Sequence, residues 1–214
     1  MPSSALKRSR HLVSLRTVLM CSLLALSVPC FADGPLGIGP LKLGMSKEEV
    51  EVLPDGGVRI AAPLTTYRPP GNAPAIIKMG EEKFDTLLHT PWSSTPLKAV
   101  LTFRLGKLQG VFVSWHDDGP ALEPIANQVA EKYGPAKIAD RTTTERCPSA
   151  GGGVVEVKNG TYEYSWSQDV DNREVRTNIS SYVIDGCLGR SYNQRRTTLN
   201  GLSINYVQKT SNPF

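Results

Sequence analysis

Histidine, cysteine and long apolar runs are all scarce in this chain of 214 residues, which has three histidines and four cysteines. Each scarcity narrows what the protein can do. A protein-held metal needs several His, Cys or carboxylate ligands brought together, and beyond residue 32 the histidines are His89 and His116. His116, Asp117 and Asp118 form the most ligand-like cluster. Neighbours on a strand point to opposite faces, however, and the following Gly119 and Pro120 mark an ordinary polar turn. No metal and no cofactor are expected. The Gly-x-Ser-x-Gly elbow of the hydrolases is missing. The carboxylates between residues 163 and 185 show no glycosidase-like pairing, and Gly151 to Gly153 read as a flexible loop rather than an anion cradle. No catalytic residue is assigned, and a non-enzymatic role is expected.

A lasting excess of positive charge is also lacking. Lys7, Arg8, Arg10 and Arg16 precede an apolar run from Val18 to Val28. At about eleven residues, this run is shorter than the roughly 20 that a membrane-spanning helix needs. Cys30 and Ala32 then put small residues three and one before a cut. This order is that of a cleavable secretory signal, so residues 1–32 are expected to be removed on export to the periplasm. They hold four of the 24 Lys+Arg and none of the 20 Asp+Glu. The remaining chain is formally neutral, which argues against nucleic acid as a partner. A lipid-bearing cysteine would need a small residue before it, but Cys21 follows Met20 and Cys30 follows Pro29, so no stable membrane anchor is expected after cleavage. Cys147 and Cys187 remain as an even pair in an oxidising compartment and are expected to form a disulfide.

What is present is strand-like and helical patterning in alternation. Ser46 followed by Glu49 is a capping box that starts a short helix, ended by Pro54. Residues 63–74 hold four prolines and should form an exposed loop. Residues 82–90 are weakly strand-like. Leu97, Ala99, Leu101 and Phe103, then Val111, Val113 and Trp115, alternate with polar neighbours on either side of a turn at Leu105 to Lys107, which predicts an antiparallel hairpin. Leu122, Ile125, Ala126, Val129 and Tyr133 make one face of a helix stopped by Gly134 and Pro135. Asn159 and Gly160 lie between two strand-like runs and predict a second hairpin. Residues 174–184 and 200–208 alternate as further strands, with Leu202, Ile204 and Tyr206 on one face. Asn159 and Asn178 also begin glycan-acceptor triplets.

Helix then strands, twice over, predicts an α+β fold: tandem helix-plus-antiparallel-sheet units, residues 33–118 and 119–214, forming a two-layer sandwich with one open sheet face. The opening Gly44, Met45, Ser46, Lys47, Glu48, Glu49 and Val50 resembles the first helix of BamE/SmpA-type periplasmic domains. Two such units in tandem resemble the architecture of the β-lactamase-inhibitory proteins. The missing chemistry, the duplicated sheet scaffold and the loop aromatics, together with this resemblance, lead to the expectation of a periplasmic protein that docks another protein of the cell envelope, as an inhibitor or immunity-type factor. The alternatives are an envelope assembly accessory or an unrecognised hydrolase. Candidate partner-binding residues come from the loop aromatics Tyr67 and Trp92 and from the outward positions of the strands: Arg104, Phe112, His116, Arg176 and Tyr182.

Overall fold

The capping box at Ser46 opens the first helix, α1 (Lys47–Glu51). The Ser46 Oγ accepts from the Glu49 N–H at 3.2 Å and the Glu49 carboxylate accepts from the Ser46 N–H at 2.6 Å. A small hairpin of β1 (Gly37–Ile38) and β2 (Leu41–Lys42) precedes it. These details come from a computed structural model that describes residues 35–54, 57–69, 79–148, 153–184 and 197–207. The expected signal segment 1–32, Cys187, most of the glycine loop at 151–153 and the end of the proline-rich loop lie outside the described residues. Everything described belongs to one compact unit, Phe31–Phe214.

The second helix, α2 (Leu122–Tyr133), is built as its sequence dictates. Pro120 precedes it and Pro124 sits in its first turn, where no N–H is needed. Gly134 ends it with φ 86° and gives its N–H to the Ala130 carbonyl at 2.9 Å. Ile125 and Ala126 are buried against the sheet. Two tryptophans tie down its ends: the Trp115 indole N–H donates to the Pro120 carbonyl (2.8 Å) and the Trp166 indole N–H to the Gly134 carbonyl (2.9 Å).

The remaining elements are strands: β3 (Arg59–Ile60), β4 (Thr65–Thr66), β5 (Glu81–Thr90), β6 (Ser93–Arg104), β7 (Lys107–Trp115), β8 (Lys137–Pro148), β9 (Val154–Val170), β10 (Arg173–Ile184) and β11 (Thr197–Val207). They form one nine-stranded antiparallel sheet in the order β3-β5-β6-β7-β11-β10-β9-β8, with β4 also paired to β5. The expected tandem α+β fold is overturned. Strand accounts for 62% of the described residues and helix for 12%, in only two helices. The physical reason lies in helix length and in the β7–β11 ladder. A helix of five residues, about 7.5 Å long, cannot cover a sheet of its own. Leu202 pairs with Val113 and Ile204 with Val111, so segments 33–118 and 119–214 share one sheet and one core. That core is a single face of the sheet: Leu101, Phe103, Val111, Val113, Val175, Ile179, Leu202 and Ile204 are all buried on it, with Val50, Ile125 and Ala126 from the helices.

The β6–β7 hairpin is present where alternation places it, turning at Leu105 (φ 51°) and Gly106 (φ 72°). The hairpin expected at Asn159 and Gly160 is not. β9 runs unbroken through both residues, with Gly160 paired to Thr142 on one side and Val183 on the other. Gly160 serves close backbone approach instead: its φ is 117°, and a Cβ there would run into the Arg141 carbonyl oxygen. The true turn lies at Asp171 and Asn172 (φ 49° and 61°), residue types that tolerate the left-handed region. Gly160→Ala is therefore expected to destabilise the protein by about 2 kcal/mol, the sum of a strained φ and a displaced neighbour. A urea titration measures this as a lower midpoint, and an unchanged midpoint would contradict the close-approach role.

Candidate functional site

Side chains alternate across the sheet, so the face opposite the core can be read from the strand registers. Phe112 on β7 stands beside Ser203 on β11, which pairs with Asn178 on β10, then Ser165 on β9 and Lys137 on β8. Four residues along, past the Gly201–Ser180 pair, Leu199 pairs with Tyr182, which pairs with Thr161 and then Arg141. A further step brings Ile184 beside Thr197. This face has two regions of different chemistry.

The first is apolar. Phe112, Leu199, Tyr182 and Ile184 are 39%, 40%, 47% and 47% exposed, and all four occupy this face of three adjacent strands. Phe112 can lie close over the sheet because Gly201 has no side chain: a Cβ there would sit 2.9 Å from the Phe112 ring. His116 follows at the end of β7. Its Nδ1 lies 3.2 Å from the Thr198 carbonyl; a carbonyl only accepts, so a hydrogen bond there needs the proton on Nδ1.

The second is a cleft of about 650 Å³ over β8, β9 and β10, lined by Lys137, Arg141 and Arg176 together with Glu163 and Glu174. Arg176 is paired to Glu174 at 2.8 Å, an exposed pair that orients the guanidinium more than it stabilises the fold. Three cations and two carboxylates on a shallow wall suit a partner carrying both signs of charge. Ser165 and Ser167 also line the cleft, and the Ser165 hydroxyl donates to the Lys137 carbonyl at 3.2 Å. On the other face of β9, the Tyr164 hydroxyl is pushed up to about 12 by burial and then by its neighbour Tyr162. Among the described residues there is no group of three His, Cys, Asp or Glu arranged to hold a metal.

The residues singled out from the sequence divide into three groups. Phe112, His116, Arg176 and Tyr182 share this face. Arg104 shares it too, but lies at the tip of the β6–β7 hairpin opposite Glu81. Tyr67 lies just past β4, its N–H donating to the Lys83 carbonyl. It is at the far edge of the sheet, five strand spacings or about 24 Å from β10. Trp92 is on the covered side: it is half-buried, packs against the core and lines a cavity of about 220 Å³ with Ile38, Ile125 and Leu202. Asn159 and Asn178 both lie within strands, with a buried amide atom each, so neither is presented as a loop acceptor. Leu199, Ile184, Lys137 and Arg141 were not legible as site residues. The period-two continuation of β11 back to Thr197, and the β-branched run Thr142 to Thr144, are the signals that mark their strands. Cys147 is buried and disulfide-bonded; Cys187 lies outside the described residues. No family model matches the chain, and neither does any curated protein or solved structure.

Proposed function

We propose that this protein is a non-enzymatic binding protein of the cell envelope, which docks another protein on the sheet face that its own helices leave uncovered. One observation carries the reading: four large apolar side chains, Phe112, Tyr182, Ile184 and Leu199, are exposed along the same face of the adjacent strands β7, β11 and β10, beside a cleft of mixed charge. An aromatic and aliphatic centre flanked by polar groups is the anatomy of a protein interface. Sequestration of these side chains on a partner also supplies the burial that water denies them. The signal-like first 32 residues and the cysteine pair support a periplasmic setting, and an inhibitor or immunity-type factor fits an exposed binding face.

The test compares cross-linked partners of the wild type with those of Phe112→Asp and Tyr182→Asp. Both positions are solvent-facing, so each variant should keep its stability within about 1 kcal/mol. Each should nevertheless lose at least about tenfold in affinity for any specific partner. Partners captured equally well by wild type and both folded variants would refute the reading.

A further inference from the structure

The sheet has one long unpaired border. β8 pairs with β9 along its whole length from Lys137 to Pro148, without a register shift, and among the described residues nothing pairs with its other side. Such an edge is normally blunted by a bulge, a proline or inward charge, because its free N–H and C=O groups invite another strand. This one has no bulge and no proline before Pro148, and the charges it carries at its middle, Asp140, Arg141, Glu145 and Arg146, are of both signs. Its residues from Asp140 to Arg146 are exposed apart from the half-buried Thr142. The direction of its backbone is also visible: the Thr142 N–H is taken by the side chain of its own neighbour Asp140 at 2.9 Å. Even-numbered positions therefore point their backbone groups at the free edge. The two bonds from Thr142, hydroxyl and then N–H, hold the Asp140 carboxyl below the usual carboxylate range.

We infer that two copies of this chain join edge to edge through β8, antiparallel about a two-fold axis at Thr143. The sequence Asp140, Arg141, Thr142, Thr143, Thr144, Glu145, Arg146 is self-complementary when reversed. Centred on Thr143, Asp140 faces the second copy's Arg146, and Arg141 faces its Glu145. Thr142 faces Thr144 and Thr143 faces itself. By symmetry this makes four pairs of opposite charge, with no like charges opposed. Directly opposite residues lie on one face, so such pairs touch. Thr–Thr pairs are favourable at the centre. No nearby register does this. Centring on Thr142 or Thr144 leaves every charge opposite a neutral residue, and centring on Arg141 or Glu145 sets that residue against its own copy. Among the described residues neither Arg141, Glu145 nor Arg146 has an ion pair within one chain. On pairing, the Thr142 N–H passes to the Thr144 carbonyl of the second copy, and the Asp140 carboxylate is released to Arg146. The two sheets become one continuous sheet, while Phe112 and Tyr182 stay free on its face. This inference is independent of the proposed function.

Sedimentation equilibrium of the chain as isolated from expressing cells tests it. The wild type should reach a two-copy mass with a dissociation constant of about 10–100 µM, as befits a small interface, and should weaken with added salt. Glu145→Arg opposes Arg141 of each copy to the new arginine of the other, two like-charge pairs in all, and should weaken association about a hundredfold. Arg141→Glu should do the same with the opposite sign. The double variant Arg141→Glu with Glu145→Arg should restore the dimer, and the two single variants mixed should form a heterodimer. All of these positions are exposed, and circular dichroism checks that each variant is folded. A wild type that stays single at about 500 µM, well above the expected constant, would overturn the inference. So would a dimer indifferent to Glu145→Arg, or single variants that fail to pair with each other.

Discussion

Phe103→Ala is expected to lower the unfolding free energy by about 3–5 kcal/mol, the range for emptying a large aromatic site in a packed core. Phe103 is 1% exposed and meets the edge of Phe84 at a centroid distance of 5.7 Å and an angle of 79°. The variant loses the transfer energy of the ring, leaves a cavity and forfeits the edge-to-face contact. The neighbours cannot collapse into the gap, because Leu101 and Leu108 are held in the ladder between β6 and β7. Urea titration should show a lower midpoint at an unchanged slope. Since small domains are stable by only about 5–15 kcal/mol, this one substitution removes a large fraction of the total. A midpoint within error of wild type would mean that the β6–β7 half of the core can repack freely.

Reducing the disulfide at Cys147 is the second large effect. Cys147 is buried at the end of β8 and disulfide-bonded, and the pairing expected from the sequence is with Cys187. That bond closes a loop of about forty residues, which on the chain-entropy model stabilises by about 3–4 kcal/mol. Reduction, or Cys147→Ser, should therefore lower the melting temperature by roughly 10 °C. A non-reducing peptide map should recover the Cys147 and Cys187 peptides joined. A melting temperature indifferent to reductant, or a map that joins Cys147 elsewhere, would refute the assignment. The same bond anchors the end of the strand proposed to pair between copies, so reduction should also weaken self-association.

Features governed by neighbours in sequence were legible in advance. The Ser46–Glu49 box, the Gly134 stop and the turn at Leu105–Gly106 depend on local backbone geometry, and each is present. Phe112, Arg176 and Tyr182, picked out by alternation, lie on the face opposite the core. What the local reading missed needed a distant partner. Asn159 and Gly160 carry a strong local turn signal, yet β9 passes straight through them because β8 and β10 flank it on both sides. Trp92 sits in a short turn rich in Ser and Thr that reads as exposed, but the core draws its ring inward. Lys137 to Pro148 has no apolar alternation, since an edge strand has little to bury, and only the β-branched run Thr142 to Thr144 marks it.

Local rules suffice for the chain's grammar: which residues start and stop the two helices, which strand faces are apolar, and which end carries the basic and apolar leader-like segment. Those follow from short-range sterics, capping and periodicity, which act over a few residues. Only the folded arrangement establishes that the halves share one sheet through β7 and β11, that the exposed apolar residues Leu199 and Tyr182 meet, and that β8 is left as an unpaired edge. These depend on which non-local ladders bury the most surface at the least cost in chain entropy, a competition among distant segments that no window of sequence records.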